Sequence, residues 1–331
     1  MTDNRSQKRI AQLLSRDEIA RLTTASDVRG LWSLLVTWTT IAAAFYLAAW
    51  RPGPLTAIIA VIALGGRQLA LAVLMHEASH RSLFRTRGLN DVVGHWLSGA
   101  FVWTHLVDYR QHHTRHHSFT GTERDPDLGL VRPFPTSRRS LARKFFRDLT
   151  GWTGLKRIVG LTLMDLGLVR YTASVGIQRI DQSGRSVGDV VAMGIRRLSP
   201  MLLTNGALFA LLAALGHGWL YALWALAYLT SFSLFLRIRA IAEHACTDQS
   251  ADSFVNTRTT RANWLARLTV APMHVNYHLE HHLLATVPHY RLPAMHRLLR
   301  QRDALDGSHV ASGYLEVLGL VSARSASPRA N

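Results

Sequence analysis

Residues 31–49 read LWSLLVTWTTIAAAFYLAA, residues 51–54 read RPGP, and residues 55–75 read LTAIIAVIALGGRQLALAVLM. An uncharged apolar run of this length matches the hydrocarbon core of a bilayer, and the Pro-Gly-Pro break followed by a second such run reads as a helical hairpin. Only Arg67 and Gln68 interrupt the second run with strongly polar side chains. An arginine inside a span is costly, so Arg67 is expected to face inward to a partner or a watery cavity. A second pair of runs, Met201–Leu215 and Trp219–Leu236, flanks Gly216-His217-Gly218. Four spans, at about residues 31–49, 55–75, 201–215 and 219–236, are the simplest count. Leu89–Val107 and Gly151–Ile177 mix apolar residues with Arg, His, Asp and Gly, and read as interfacial or cytosolic helices.

Composition agrees with this class and excludes others. The chain has 331 residues, 48% apolar and 18% charged, too apolar for a disordered chain. Its lone Cys246 removes disulfide scaffolds, Cys-based zinc modules and iron–sulfur clusters held by this chain. Lysine and arginine number 38 against 21 Asp and Glu. Six of these cations fall in the first 30 residues, nineteen in residues 76–200 and eleven after Leu236, whereas the two hairpin turns carry only Arg51. The positive-inside rule therefore puts both termini and the long central segment in the cytosol, and an even number of spans agrees. The charged N-terminus and long first run give no cleavable signal peptide. Arginines that flank spans already answer to insertion and anionic headgroups, so the basic excess calls for no nucleic acid. An acidic redox protein or an acyl carrier docking on the cytosolic face suits the charge.

Histidine placement is the strongest chemical signal. None occurs before His76 or between Ser118 and Gly216, yet eight lie in 76–117 and six in 274–296. Three spacings stand out: His76-Glu-Ala-Ser-His80, His113-Thr-Arg-His116-His117 and His278-Leu-Glu-His281-His282. At this histidine content a His-x-x-His-His triplet is expected roughly 0.04 times by chance, and two are present. Residues at i, i+3 and i+4 share a helix face, so the first box presents two imidazoles, and each triplet three, toward a common point. Eight nitrogen donors exceed what one ion takes. Two ions sharing them, each with a position left open, fit the count, and imidazole suits iron, zinc or copper. His76 directly follows the second run, which carries its ligands past the interface; the third box must fold back to meet the others.

The order of boxes, HEASH, then HHTRHH, then NYHLEHH, resembles the membrane fatty acid desaturase superfamily, which also holds hydroxylases and carotenoid ketolases. Supporting text includes Thr120-Gly121 and Asp125-Pro126-Asp127 after the second box, and Val287-Pro288, Tyr290, Leu292-Pro293 and His296 after the third. The resemblance runs from about Leu31 to Arg300. It implies an all-α integral membrane protein, four transmembrane helices in two hairpins, with a cytosolic helical cap carrying the boxes. Residues 1–30 are then a cytosolic N-terminal segment, 31–300 the membrane domain, and 301–331 a cytosolic tail, flexible at its end. The resemblance also implies two non-haem irons, O2 as co-substrate, a lipid or acyl-chain substrate, and an external electron donor of ferredoxin or cytochrome b5 type with its reductase. It supplies a ninth ligand, His244, in addition to His76, His80, His113, His116, His117, His278, His281 and His282. Three departures leave the substrate subclass open: three residues, not four, inside the first box; Ala240 where an acyl-CoA desaturase has Asn; and His278 where front-end desaturases have Gln.

Around the boxes, His112, His274, Asp125 and Asp127 are candidates to orient ligands. His95, His105, His289 and His296 read as structural or interfacial, His217 and His309 as solvated. Two further enzyme or carrier readings compete. His76-Glu77-x-x-His80 also satisfies the zinc metalloprotease signature, with Glu77 as general base, but leaves both triplets without a task. A metal transporter needs ligands near the bilayer midplane, and here they gather beyond the helix ends.

Overall fold

The computed structural model describes residues 4–172 and 176–323. The end of the C-terminal tail, expected to be flexible, lies outside the described residues from 324 onward, as do residues 1–3. Four stretches are long and apolar enough to cross a bilayer: Asp27–Trp50 (α1), Pro54–Ser79 (α2), Val187–Ala214 and Leu220–His244. Ser26 caps α1 by accepting from the Arg29 amide, and Pro54 starts α2 at a position where a missing N–H is harmless.

α2 is the helix around which the others pack. Glycine makes this possible: a Cβ at Gly65 would lie 2.1 Å from Ser231 Oγ, and one at Gly66 would lie 2.1 Å from the Leu268 carbonyl. Its two polar residues are answered from inside. Gln68 donates to the Trp224 carbonyl at 2.9 Å, and Arg67 donates to the carbonyls of Arg267 and Leu268 at 3.0 and 2.8 Å. Those carbonyls end the short helix Trp264–Leu268, so Arg67 caps that helix and meets its negative pole. Ile41, Phe45, Leu64, Leu71, Trp224 and Phe232 belong to the surrounding core.

Three elements differ from the sequence reading. The third span starts at Val187, well before Met201, under a capping box of Ser186 and Asp189. Hydropathy finds only the lipid-facing part of a helix, and Arg196 and Arg197 hide the rest of this one, which runs on through Pro200. The fourth stretch extends past Leu236 to His244 and is broken into Leu220–Leu229 and Ser231–His244 (below, the fourth span). Arg157 donates to the Tyr228 carbonyl at 2.6 Å and Ser231 Oγ to the Val61 carbonyl at 2.6 Å, so polar groups at the break find partners. Within Gly151–Ile177, Trp152–Asp165 is helical, but Val169–Thr172 (β1) and Gly176–Arg179 (β2) form an antiparallel hairpin. Gly167 at φ 68° ends the helix, and β-branched residues follow it.

Beyond the spans, the second box lies on Leu106–Phe119 (α3) and the third on the six-residue helix His278–Leu283 (α4). Leu279 and Leu283 on α4 pack into a core with Leu14, Leu22, Phe254, Leu292 and Met295, which turns the α4 histidines the other way. Arg258–Thr260 (β3) pairs in parallel with His309–Ala311 (β4), and Asn276 clips onto Thr260 through both backbone and side chain. This tie sets the approach of the third box.

Candidate metal centre

Nine histidines converge in two groups. His76, His80, His113, His117 and His281 form one, and His116, His244, His278 and His282 the other; in each, one donor atom per residue lies within 4.8 Å of every other. These are the nine residues singled out above, but neither triplet aims at one point. In both, the i and i+4 members go together (His113 with His117, His278 with His282) and the i+3 member joins the other group. Helix geometry explains the split. Successive residues turn by about 100°, so an i+4 partner falls about 40° to one side of residue i and an i+3 partner about 60° to the other. A helix lying between two sites therefore serves both.

The donors face one another at distances that ask for an ion. His117 Nε2 is 3.0 Å from both His113 Nε2 and His281 Nε2, and His278 Nε2 is 2.8 Å from His244 Nε2. His76, His80 and His282 each bury an Nε2 with no hydrogen-bond partner. Several opposite ring nitrogens are held by acceptors: His76 Nδ1 by Glu77 at 3.2 Å, His116 Nδ1 by Asp125 at 2.8 Å, and His244 Nδ1 by the Asn256 carbonyl at 3.2 Å. A ring that donates through Nδ1 keeps a bare lone pair on Nε2. Crowded, buried lone pairs are unfavourable without a cation, so the residues present fit a pair of metal ions.

Protonation does not compete at neutral pH. Burial, reinforced by neighbouring rings, pushes His113, His117, His278, His281 and His282 well below the usual imidazole range. Burial brings His80 to about 4, although Glu77 opposes it. His116 is the exception: burial pushes it down, but the Asp125 hydrogen bond and the charges of Asp125, Asp127 and Glu243 raise it overall.

Of the candidate orienting groups, Asp125 touches His116, and Asp127 lies 3.7 Å from the same Nδ1 while accepting from His112 at 2.9 Å. His274 is elsewhere, with its ring against His289 and Tyr277. His105 donates to Asp165, which also takes Trp103 and Arg197; His289 meets Ser33; His217 is exposed. Sequence reading missed three supports. Glu243, one residue before His244, stands 3.5 Å from His278 Nδ1. Glu280, inside the third box and fully buried, bonds His296 and Thr259, both at 2.5 Å. Asn256 bridges His244 to the Thr120 carbonyl. A charged residue beside or inside a ligand motif was the available signal for the first two.

Glu77 has no freedom to act as a hydrolytic base. One oxygen holds His76, and the other accepts from the His289 amide at 2.8 Å and the Ser82 hydroxyl at 3.2 Å. The protease signature is thus satisfied in letters only.

Residues 48–313 match the family model described as fatty acid desaturase. The chain belongs to that family. Among similar proteins, the dihydrorhizobitoxine desaturase of Bradyrhizobium elkanii is 25% identical over 252 residues, 73% of this chain and 67% of that protein. The sn-1 oleoyl-lipid 12-desaturase of Synechocystis is 25% identical over 237 residues, 69% of this chain and 64% of its own length. A beta-carotene ketolase from Paracoccus is 26% identical over 246 residues, 72% of this chain and 79% of the ketolase. As a fatty acid desaturase family member with four apolar helices, the chain is a membrane oxidoreductase.

Proposed function

We propose that this desaturase-family protein removes hydrogen from an unactivated C–H bond of a lipid or acyl chain, with O2 as co-substrate and electrons from an external carrier of ferredoxin or cytochrome b5 type with its reductase. The observation that carries this reading is the convergence of nine imidazoles into groups of five and four. His76, His80, His113, His117 and His281 would hold one iron, and His116, His244, His278 and His282 the other. Iron bound in that pair of sites supplies O2 activation and hydrogen abstraction. The protein's own part is to keep the imidazoles neutral by burial, to fix their tautomers through Glu77, Asp125 and the Asn256 carbonyl, and to exclude water from the rings. His76 is in the last turn of α2 and His244 ends the fourth span. A chain lying in the bilayer therefore reaches the site from the helix ends, and the density of cations around those ends supports a cytosolic site and cytosolic termini.

Oxygen insertion is the second reading. The alignment with the Paracoccus ketolase covers 79% of that protein, more than either desaturase alignment above covers of its relative. Desaturation and oxygenation differ in whether a second hydrogen leaves or oxygen is transferred, which rests on ångström-scale placement of the chain.

Metal analysis of detergent-purified protein, expressed with iron and zinc available, tests the reading. About two irons per chain are expected, followed by an O2-dependent change in membrane lipids; one zinc and no iron overturns it. Mass spectrometry of the product then separates loss of two hydrogens from gain of oxygen.

A further inference from the structure

Three arginines are buried among the described residues: Arg67, Arg239 and Arg258. Two of them serve the backbone. Arg67 holds the Arg267 and Leu268 carbonyls, and Arg258 donates to those of Ala242, Ala245 and Cys246 at 3.2, 2.8 and 3.2 Å. Arg239 does neither. Its Nε donates to Glu243 Oε1 at 2.6 Å, and neither Nη donates to any described residue. Those nitrogens are not sealed away: the buried atoms left without partners include Arg67 Nε but no atom of Arg239, so its Nη groups open onto space that a water molecule can enter. The hydroxyls of Tyr109 and Tyr314 share this condition, with no hydrogen bond among the described residues and neither atom fully enclosed. Arg239 lies close enough to both phenols, and to His281 of one group and His278 of the other, for its charge to act on all four.

A guanidinium has five N–H donors, and leaving most of them unanswered in a low-dielectric site is expensive. An alkyl chain filling this space would answer none of them. With Nε on Glu243, the free edge presents two parallel N–H groups, the fork that matches a carboxylate. Arg239 is five residues before His244 on the same helix, about 7.5 Å along its axis.

We infer that Arg239 seats a carboxylate of the substrate, so that the substrate is an acid-bearing amphiphile whose reacting carbon lies a few bonds from its acid group. This rests on the proposed function for the site and narrows its substrate class. Mid-chain attack on an esterified lipid would leave the Arg239 fork facing methylene groups.

The test is equilibrium binding of decanoate, methyl decanoate and decanol to the full-length protein in detergent, run on metal-loaded and on chelator-stripped samples. Decanoate is expected to bind at least tenfold more tightly than its methyl ester in both samples. Arg239→Met is expected to erase the preference and Arg239→Lys to keep part of it, with decanol binding unchanged in each. Equal binding of acid and ester by the unmutated protein overturns the inference, and so does a preference that survives Arg239→Met. The wild-type comparison decides even where Arg239→Met fails to fold. Because the readout is binding and includes stripped protein, absence of iron would overturn the proposed function while the acid preference stands or falls separately.

Discussion

The two histidine groups draw on shared boxes yet sit in different surroundings. Among the described residues the five-ring group has one carboxylate hydrogen-bonded to its rings, Glu77 on His76. The four-ring group has Asp125 on His116, Asp127 near the same ring, Glu243 beside His278 and a carbonyl on His244. One group is richer in nitrogen, the other in negative charge. Carboxylates behind imidazoles raise ligand basicity and fix orientation, so the group with fewer donors receives the stronger support. Within the four-ring group the carboxylates tell on His116 alone, which they raise against its burial, whereas burial lowers His278 and His282 just as it lowers His80, His113, His117 and His281 of the other group.

The largest effects that bear on this contrast come from removing one imidazole on each side. His281→Ala leaves four donors in its group and His282→Ala leaves three in the other. Both are expected to abolish turnover. Metal analysis should separate them, with iron falling from about two to about one per chain in His282→Ala and less in His281→Ala; the reverse order would remove the distinction drawn here. Next in size is Asp125→Asn, expected to weaken metal retention or activity about 10- to 100-fold, with the loss confined to the four-ring group by metal-site spectroscopy. Glu77→Gln keeps an acceptor for His76 and should fall near the lower end of that range, about tenfold. Complete loss of a peptidase activity in Glu77→Gln, with oxidation intact, would instead revive the zinc reading.

The smallest effect concerns pH in metal-stripped protein. His80 and His289 are held by burial at about 4 in the folded chain, against an ordinary value of 6.5. Between those values only the unfolded chain takes up the protons. Their contribution to stability is therefore complete above 6.5 and is lost as pH falls toward 4. His116, raised in the folded state, has the opposite sign: its contribution is present below 6.5 and fades as pH rises through its folded value. Melting temperatures of the stripped protein should fall from pH 7 to pH 4.5, and more steeply in Asp125→Asn, which removes the opposing contribution. A melting temperature independent of pH over that window would contradict the burial of these rings.

Much of the fold and of the site is legible in the residues themselves, for physical reasons. Spans are legible because lipid forces apolar length on them, and the three boxes because chance rarely repeats a His-x-x-His-His spacing. The start of the third span at Val187 is hidden because a helix that leaves the membrane gains arginines without ceasing to be a helix. The β1–β2 hairpin is hidden because its residues are neither strongly periodic nor apolar. Glu243 and Glu280 are visible as letters, but which ring or hydroxyl each faces depends on helix phase and on how α4 docks.

Composition and local spacing alone dictate four apolar stretches of spanning length, a concentration of histidine in two short regions and the identity of the imidazoles in the three boxes. How the nine histidines divide is a matter of packing. The i+3 and i+4 members of one helix point to opposite sides of it, and a division exists only when other helices stand on both sides. The same holds for Arg239. Its neighbours in sequence are ordinary, and what distinguishes it from Arg67 and Arg258 is that among the described residues no carbonyl comes to meet its Nη groups.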